Sequence, residues 1–208
     1  MNPKYRGDGK DLFKRGFLGL VRTLGVIRGP RVLPMFTGEF QAADVEAYLS
    51  LLELGKRDLV CERRLYPRQA RRTYFDAALV EAQLDEDLFL DPDRGLIIEL
   101  RGGTSDREVV TLEEVSRLLP AHTRRLLMIY DEAVNVADRE RATGEKLDAL
   151  QAEPYNLTAF AYFNSSPNHP NIVCVANQFG SERLHVFRAA LESRGVPSTR
   201  LMVCAAWE

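Results

Sequence analysis

The chain has 208 residues and a formal net charge of −2, with 45% hydrophobic and 28% charged residues. That composition suits one globular domain with a real core. It contains no run near the roughly 20 apolar residues needed to span a bilayer, and Lys4, Arg6, Asp8, Lys10 and Asp11 precede any apolar stretch, unlike a secretory leader. Three scattered cysteines, Cys61, Cys174 and Cys204, argue against a disulfide framework or a zinc site. The expectation is a reduced, cytoplasmic, single-domain protein over 1–208 with no membrane partner. Charge is uneven: residues 1–75 carry a balance of +7 and residues 76–208 a balance of −9, a pattern suited to a basic surface that meets an anion.

The first helix is expected over about 11–24, where Phe13, Phe17, Leu20, Val21 and Leu24 share one face and Gly25 stops it. A strand over 31–37 follows Pro30, with Pro34 marking an irregular end. Val45, Tyr48, Leu49 and Leu52 predict a helix over about 44–54. Short strands are expected at 59–61 and 73–75, with loop over 63–72. Asp87 to Leu90 reads as a buried strand that ends in the turn Asp91-Pro92-Asp93-Arg94-Gly95, followed by a short strand over 96–100. Thr111 with Glu114 forms a capping box for a helix that ends near Pro120. Arg125 to Tyr130 is the clearest buried strand. A helix over about 136–150, strands over 157–163 and 172–176 joined as a hairpin, a helix capped by Ser181 and stopped by Gly195, and a strand over 200–205 complete the order. Alternating strands and helices predict an α/β, Rossmann-like, mostly parallel sheet with helices on both faces and an antiparallel C-terminal hairpin.

In open α/β sheets ligands bind beyond the carboxyl ends of the strands. Two expected strands end there in acids, one at Asp91 and Asp93, the other at Asp131 and Glu132. If the strands are neighbours, these carboxylates crowd one rim and need a cation or a raised pKa. Mg²⁺ or Mn²⁺ bound through Asp8, Asp11, Asp91, Asp93 and Asp131 would suit phosphoryl transfer, with Asp91, Asp93 and Lys14 catalytic. The plainer alternatives are turn hydrogen bonds for Asp91 and Asp93 and helix capping for Asp8 and Asp11. Lys4 with Lys14 at the start of the first helix suggests an anion site. The basic run Lys56, Arg57, Arg63, Arg64, Arg68, Arg71 and Arg72, interleaved with Tyr66 and Tyr74, suits phosphate contacts and base stacking. Glycine-rich dinucleotide and phosphate loops and the serine-hydrolase elbow are absent.

The N-terminal Lys4-Tyr5-x-Gly7-Asp8-x-x-Asp11-x-x-Lys14 and the stretch Leu88 to Leu96 together resemble an uncharacterised family of bacterial proteins of similar length. The resemblance covers about the first two-thirds of the chain. It implies a Rossmann-like, methyltransferase-like fold and supplies no activity. After Tyr130 the family tends to carry a polar or His-containing stretch and an Arg, whereas this chain has Asp131-Glu132-Ala133. The Asp91-Pro92-Asp93 turn also resembles the Asp-Pro-Pro-Tyr turn of amino-methyltransferases, with Asp93 and Arg94 in place of the second Pro and the aromatic residue. Three functional expectations follow: a metal-dependent, nuclease-like phosphoryl-transfer enzyme; a methyltransferase-like protein using S-adenosylmethionine; and a non-catalytic module that binds nucleic acid or protein through residues 56–72.

Overall fold

The computed structural model describes residues 7–36, 40–61, 71–82, 86–100, 108–132, 138–164 and 170–204. In chain order they form α1 (Gly9–Thr23), β1 (Arg31–Pro34), α2 (Ala42–Leu51), α3 (Arg71–Glu81), β2 (Leu88–Asp91), β3 (Gly95–Ile97), β4 (Val109–Thr111), α4 (Leu112–Leu118), β5 (Leu126–Asp131), α5 (Arg139–Gln151), β6 (Thr158–Phe163), β7 (Asn171–Ala176), α6 (Ser181–Ser193) and β8 (Leu201–Val203). Six strands make one sheet in the order β1-β2-β5-β7-β6-β8, and β3 pairs with β4 in a small parallel ribbon.

The sheet is mixed. β1, β2 and β5 are parallel neighbours, whereas β7 runs antiparallel to both β5 and β6, and β8 antiparallel to β6. The expected hairpin of β6 and β7 forms, but it is not an edge: β7 inserts between β5 and β6, and β8 takes the rim. The residue pattern explains this. Asn171 to Ala176 is buried at every position, and a strand apolar on both faces needs neighbours and cover on both sides. β5 is buried throughout for the same reason.

Helices cover both faces. Phe17, Leu18 and Val21 of α1, Val45, Tyr48 and Leu49 of α2, and Leu184, Phe187 and Leu191 of α6 pack with Phe89, Met128 and Tyr130 on one face. Each fully buried apolar side chain of this kind contributes about 1.5–3 kcal/mol. Tyr74, Phe75 and Ala78 of α3, Val115 and Leu118 of α4, and Leu147 and Leu150 of α5 pack with Leu88, Leu90 and Ile129 on the other.

Thr73–Phe75, expected as strand, lies inside α3: Tyr74, Phe75 and Ala78 bury one helical stripe. At 59–61 the chain makes only an isolated bridge from Leu59 to Val32. Ser181 is the first residue of α6 and not its cap; Gly180 holds that place, and the Ser181 hydroxyl donates to Gln178 O. The Thr111–Glu114 capping box forms as expected. The three cysteines are buried and in no disulfide, and burial pushes the Cys174 thiol up from its ordinary range. No helix among the described residues is long and apolar enough to cross a membrane.

Candidate functional site

Two constellations stand out, one on each face of the sheet. The first lies at the carboxyl end of β2. Asp8 caps α1, its carboxylate accepting from the amides of Lys10 and Asp11. This cap starts the helix so that Asp11 and Lys14, one turn apart, face inward, and both are buried. Asp11 Oδ2 accepts the Gly7 amide at 2.8 Å. Lys14 Nζ donates to Asp11 Oδ1 at 3.2 Å and lies 2.7 Å from Asp91 Oδ1. The Tyr48 hydroxyl of α2 donates to Asp91 Oδ2 at 2.9 Å. Lys14 also sits 4.2 Å from the centre of the Tyr130 ring, a cation–π contact.

Burial alone would lower the Lys14 pKa, but Asp91 and then Asp11 outweigh it and hold the ammonium charged above its ordinary range. Burial, then Asp91, pushes Tyr48 and Tyr130 up, so both stay protonated. The Tyr130 hydroxyl is buried and has no hydrogen-bond partner among the described residues. Such an unmet donor costs about 1–3 kcal/mol, so it is not explained by stability.

Asp131 does not join this cluster. The register pairs Leu90 with Ile129, so Tyr130 lies level with Asp91 and shares its face. Side chains alternate along a strand, which turns Asp131 to the opposite face. There Lys146 of α5 binds both of its oxygens at 2.8 Å. Asp131 Oδ1 also accepts the Leu96 amide at 2.9 Å, clamping the Asp-Pro-Asp turn over the strand ends. Gly95 is required here: its φ is +98°, and a Cβ would lie 2.3 Å from Asp131 Oδ1. Asp93 is half-buried in that turn. Glu132 turns outward to an ion pair with Lys10.

The expected crowd of acids on one rim therefore resolves into Asp11 and Asp91 around Lys14, and Asp131 with Lys146. The lysines supply the positive charge that a metal was expected to bring. Asp8 is a helix cap and Asp131 faces away, and no three His, Cys, Asp or Glu residues among those described are arranged around one point.

The second constellation is a cavity of about 420 Å³ beside α3, α4 and β3, on the Asp131 face of the sheet. Arg71, Arg72 and Arg117 line it with Tyr155 and the exposed apolar residues Ile98 and Leu100. Arg71 forms a two-pronged pair with Glu114, with Nη2 to Oε2 at 2.6 Å, and donates to Val109 O at 3.0 Å. The same Glu114 closes the capping box of α4, so Arg71 is locked to the helix start. Arg117 bridges Glu113 at 3.2 Å and Asp76 at 3.5 Å. The Arg72 side chain is 80% exposed and lies 4.0 Å from Asp76.

Of the basic run, Arg71 and Arg72 thus reach this cavity, while Lys56 and Arg57 lie in a 3-10 turn as solvated charges. Lys4, Arg63, Arg64 and Arg68 lie outside the described residues. Lys14 and Arg71, expected to hold one substrate together, stand on opposite faces. Sequence reasoning missed Arg117, Tyr155, Ile98 and Leu100, which are distant in sequence. It also missed Lys146, whose only signal was its place on the helix that returns over β5.

Comparison with protein-family models, with curated proteins and with solved structures found no match for this chain.

Proposed function

We propose that this protein binds single-stranded nucleic acid, with the arginine-lined cavity as its anchoring point. The observation that carries this reading is the joint lining by Arg72 and Arg117, which suit phosphate oxygens, and by Tyr155, Ile98 and Leu100, which suit the flat face of a base. Sequence-tolerant strand binders combine these two elements: cations along the backbone and apolar or aromatic surface under the bases. The cavity volume is within the range of small-ligand sites, about 300–1,000 Å³. The positive balance of residues 1–75, whose arginine run leads directly into α3, supports the same reading.

Fluorescence anisotropy of a labelled single-stranded oligonucleotide, titrated at several salt concentrations, tests it. Binding should weaken as salt rises, with a log–log slope near −0.7 for each phosphate neutralised, hence about −1.4 or steeper for two or more arginines. Absence of binding at low salt, or binding indifferent to salt, sinks the reading.

A second reading rests on the Lys14–Asp91–Tyr48 cluster. It sits at the carboxyl end of parallel strands, where α/β enzymes place chemistry, and it holds a buried lysine kept charged beside Asp91 and Asp11. This reading makes the protein a phosphoryl-transfer enzyme of the nuclease kind, on a Rossmann-like fold. A rise in melting temperature with Mn²⁺ that Asp91→Asn abolishes would put this reading ahead of the first; no rise leaves the first in place.

A further inference from the structure

The carboxylates that line the arginine cavity are not equivalent. Glu114 is taken by Arg71 and Glu113 by Arg117. Glu99 lines the same cavity, is exposed, and makes no hydrogen bond or ion pair among the described residues. It follows β3 directly, between Ile98 and Leu100, the two exposed apolar residues of the lining. A carboxylate with no partner among the described residues thus follows Ile98 and precedes Leu100 in the lining, and the exposed Arg72 and the Arg117 that bridges Glu113 and Asp76 line the same cavity. An ionised carboxylate only accepts hydrogen bonds, through two oxygens side by side.

The ligand edge it selects must therefore present two adjacent N–H donors. Among the four common bases only guanine does so on its Watson–Crick edge, through N1–H and the N2 amino group. Adenine and cytosine present one amino donor beside an acceptor nitrogen, which a carboxylate repels. Uracil presents one imide N–H between two carbonyls.

We infer that the cavity takes a guanine nucleotide, with Glu99 reading the base edge and Arg72 and Arg117 holding the phosphate. This rests on the nucleic-acid reading above and narrows it from any strand to one that offers an unpaired guanine. Base-edge recognition by a matched two-pronged contact is worth about 1–3 kcal/mol, roughly five- to 160-fold in affinity.

Calorimetric titration of the full chain with guanosine, inosine, adenosine and uridine 5′-monophosphates tests the inference, repeated on Glu99→Gln and alongside the oligonucleotide titration. Guanosine monophosphate should bind about tenfold tighter than the adenosine and uridine compounds. Inosine monophosphate, which lacks the N2 amino group, should fall between. Glu99→Gln should remove the preference for guanosine monophosphate over the adenosine and uridine compounds. Equal affinities for all four, a preference that survives Glu99→Gln, or oligonucleotide binding without mononucleotide binding each overturns the guanine assignment and leaves the strand reading standing. Failure of every nucleic acid ligand to bind overturns both.

Discussion

Strand β2 carries a fully buried aspartate at each end, Asp87 just before Leu88 and Asp91 as its last residue. The two are surrounded very differently. Asp87 accepts from four N–H groups: Leu126 N at 2.7 Å and Arg183 Nη1 at 3.1 Å on Oδ1, Arg28 N at 2.6 Å and Arg183 Nη2 at 2.7 Å on Oδ2. Arg183 also donates to Val26 O at 3.0 Å. This clasp ties α6, the chain before β1 and the start of β5 to one point. Asp91 instead meets one ammonium and one phenol, and beside it stands Tyr130 with a hydroxyl that bonds to nothing described. Identical residue type and burial do not imply identical roles. A saturated carboxylate is a joint, whereas a neighbourhood with an unmet donor retains capacity for a ligand.

The largest expected effect comes from breaking the joint. Arg183→Met leaves the Asp87 charge buried beside two amides, and should cost about 3–5 kcal/mol in urea unfolding. A loss under 1 kcal/mol would show that the two amides alone satisfy the carboxylate. Lys14→Met should be nearly as damaging, again about 3–5 kcal/mol, because it strands both Asp11 and Asp91. Alkaline pH sharpens the contrast. The Lys14, Tyr48 and Tyr130 pKa values all lie above their ordinary 10.5, 10.0 and 10.0. Groups held protonated by folding stabilise fully below the unfolded values and lose that stability as pH climbs toward the folded ones. Melting temperature should therefore stay level through neutral pH with respect to these groups and drop above about pH 10; the Lys14→Met and Tyr48→Phe variants should flatten that drop. The smallest effect belongs to Tyr130→Phe: removing an unsatisfied donor should leave stability unchanged or raise it by up to about 1 kcal/mol. A clear loss would mean that the hydroxyl has a partner after all.

The contrast also explains what could be read from sequence. Asp91 lies in a conspicuous Asp-Pro-Asp-x-Gly turn, so it drew attention, while Asp87 looked like the flank of a strand because its partner Arg183 is ninety-six residues away. Helix patterns and the Thr111–Glu114 capping box were legible because they are local. The insertion of β7 between β5 and β6 was not, because hairpin pairing specifies one neighbour of a strand and leaves the other open. The misassigned stretch at Thr73–Phe75 has strand-favouring residue types, and only burial of Tyr74, Phe75 and Ala78 on one stripe decides for helix. For the site, the sequence showed that acids end two parallel strands, but a one-residue difference in register sends Asp91 and Asp131 to opposite faces. The arginine cavity draws on α3, α4, the residues after β3 and those after α5, and no local motif spans such distances.

The two faces can be set against each other in one binding experiment: salt-dependent oligonucleotide affinity of the Arg72→Ala, Arg117→Ala double variant beside that of Tyr130→Phe. If the strand docks on the arginine face, the double variant should bind more weakly, with a salt slope shallower by about 1.4, and Tyr130→Phe should match the unmodified protein. Weakened binding in Tyr130→Phe, with the arginine variant unchanged, would contradict this and place the ligand at the Lys14 rim.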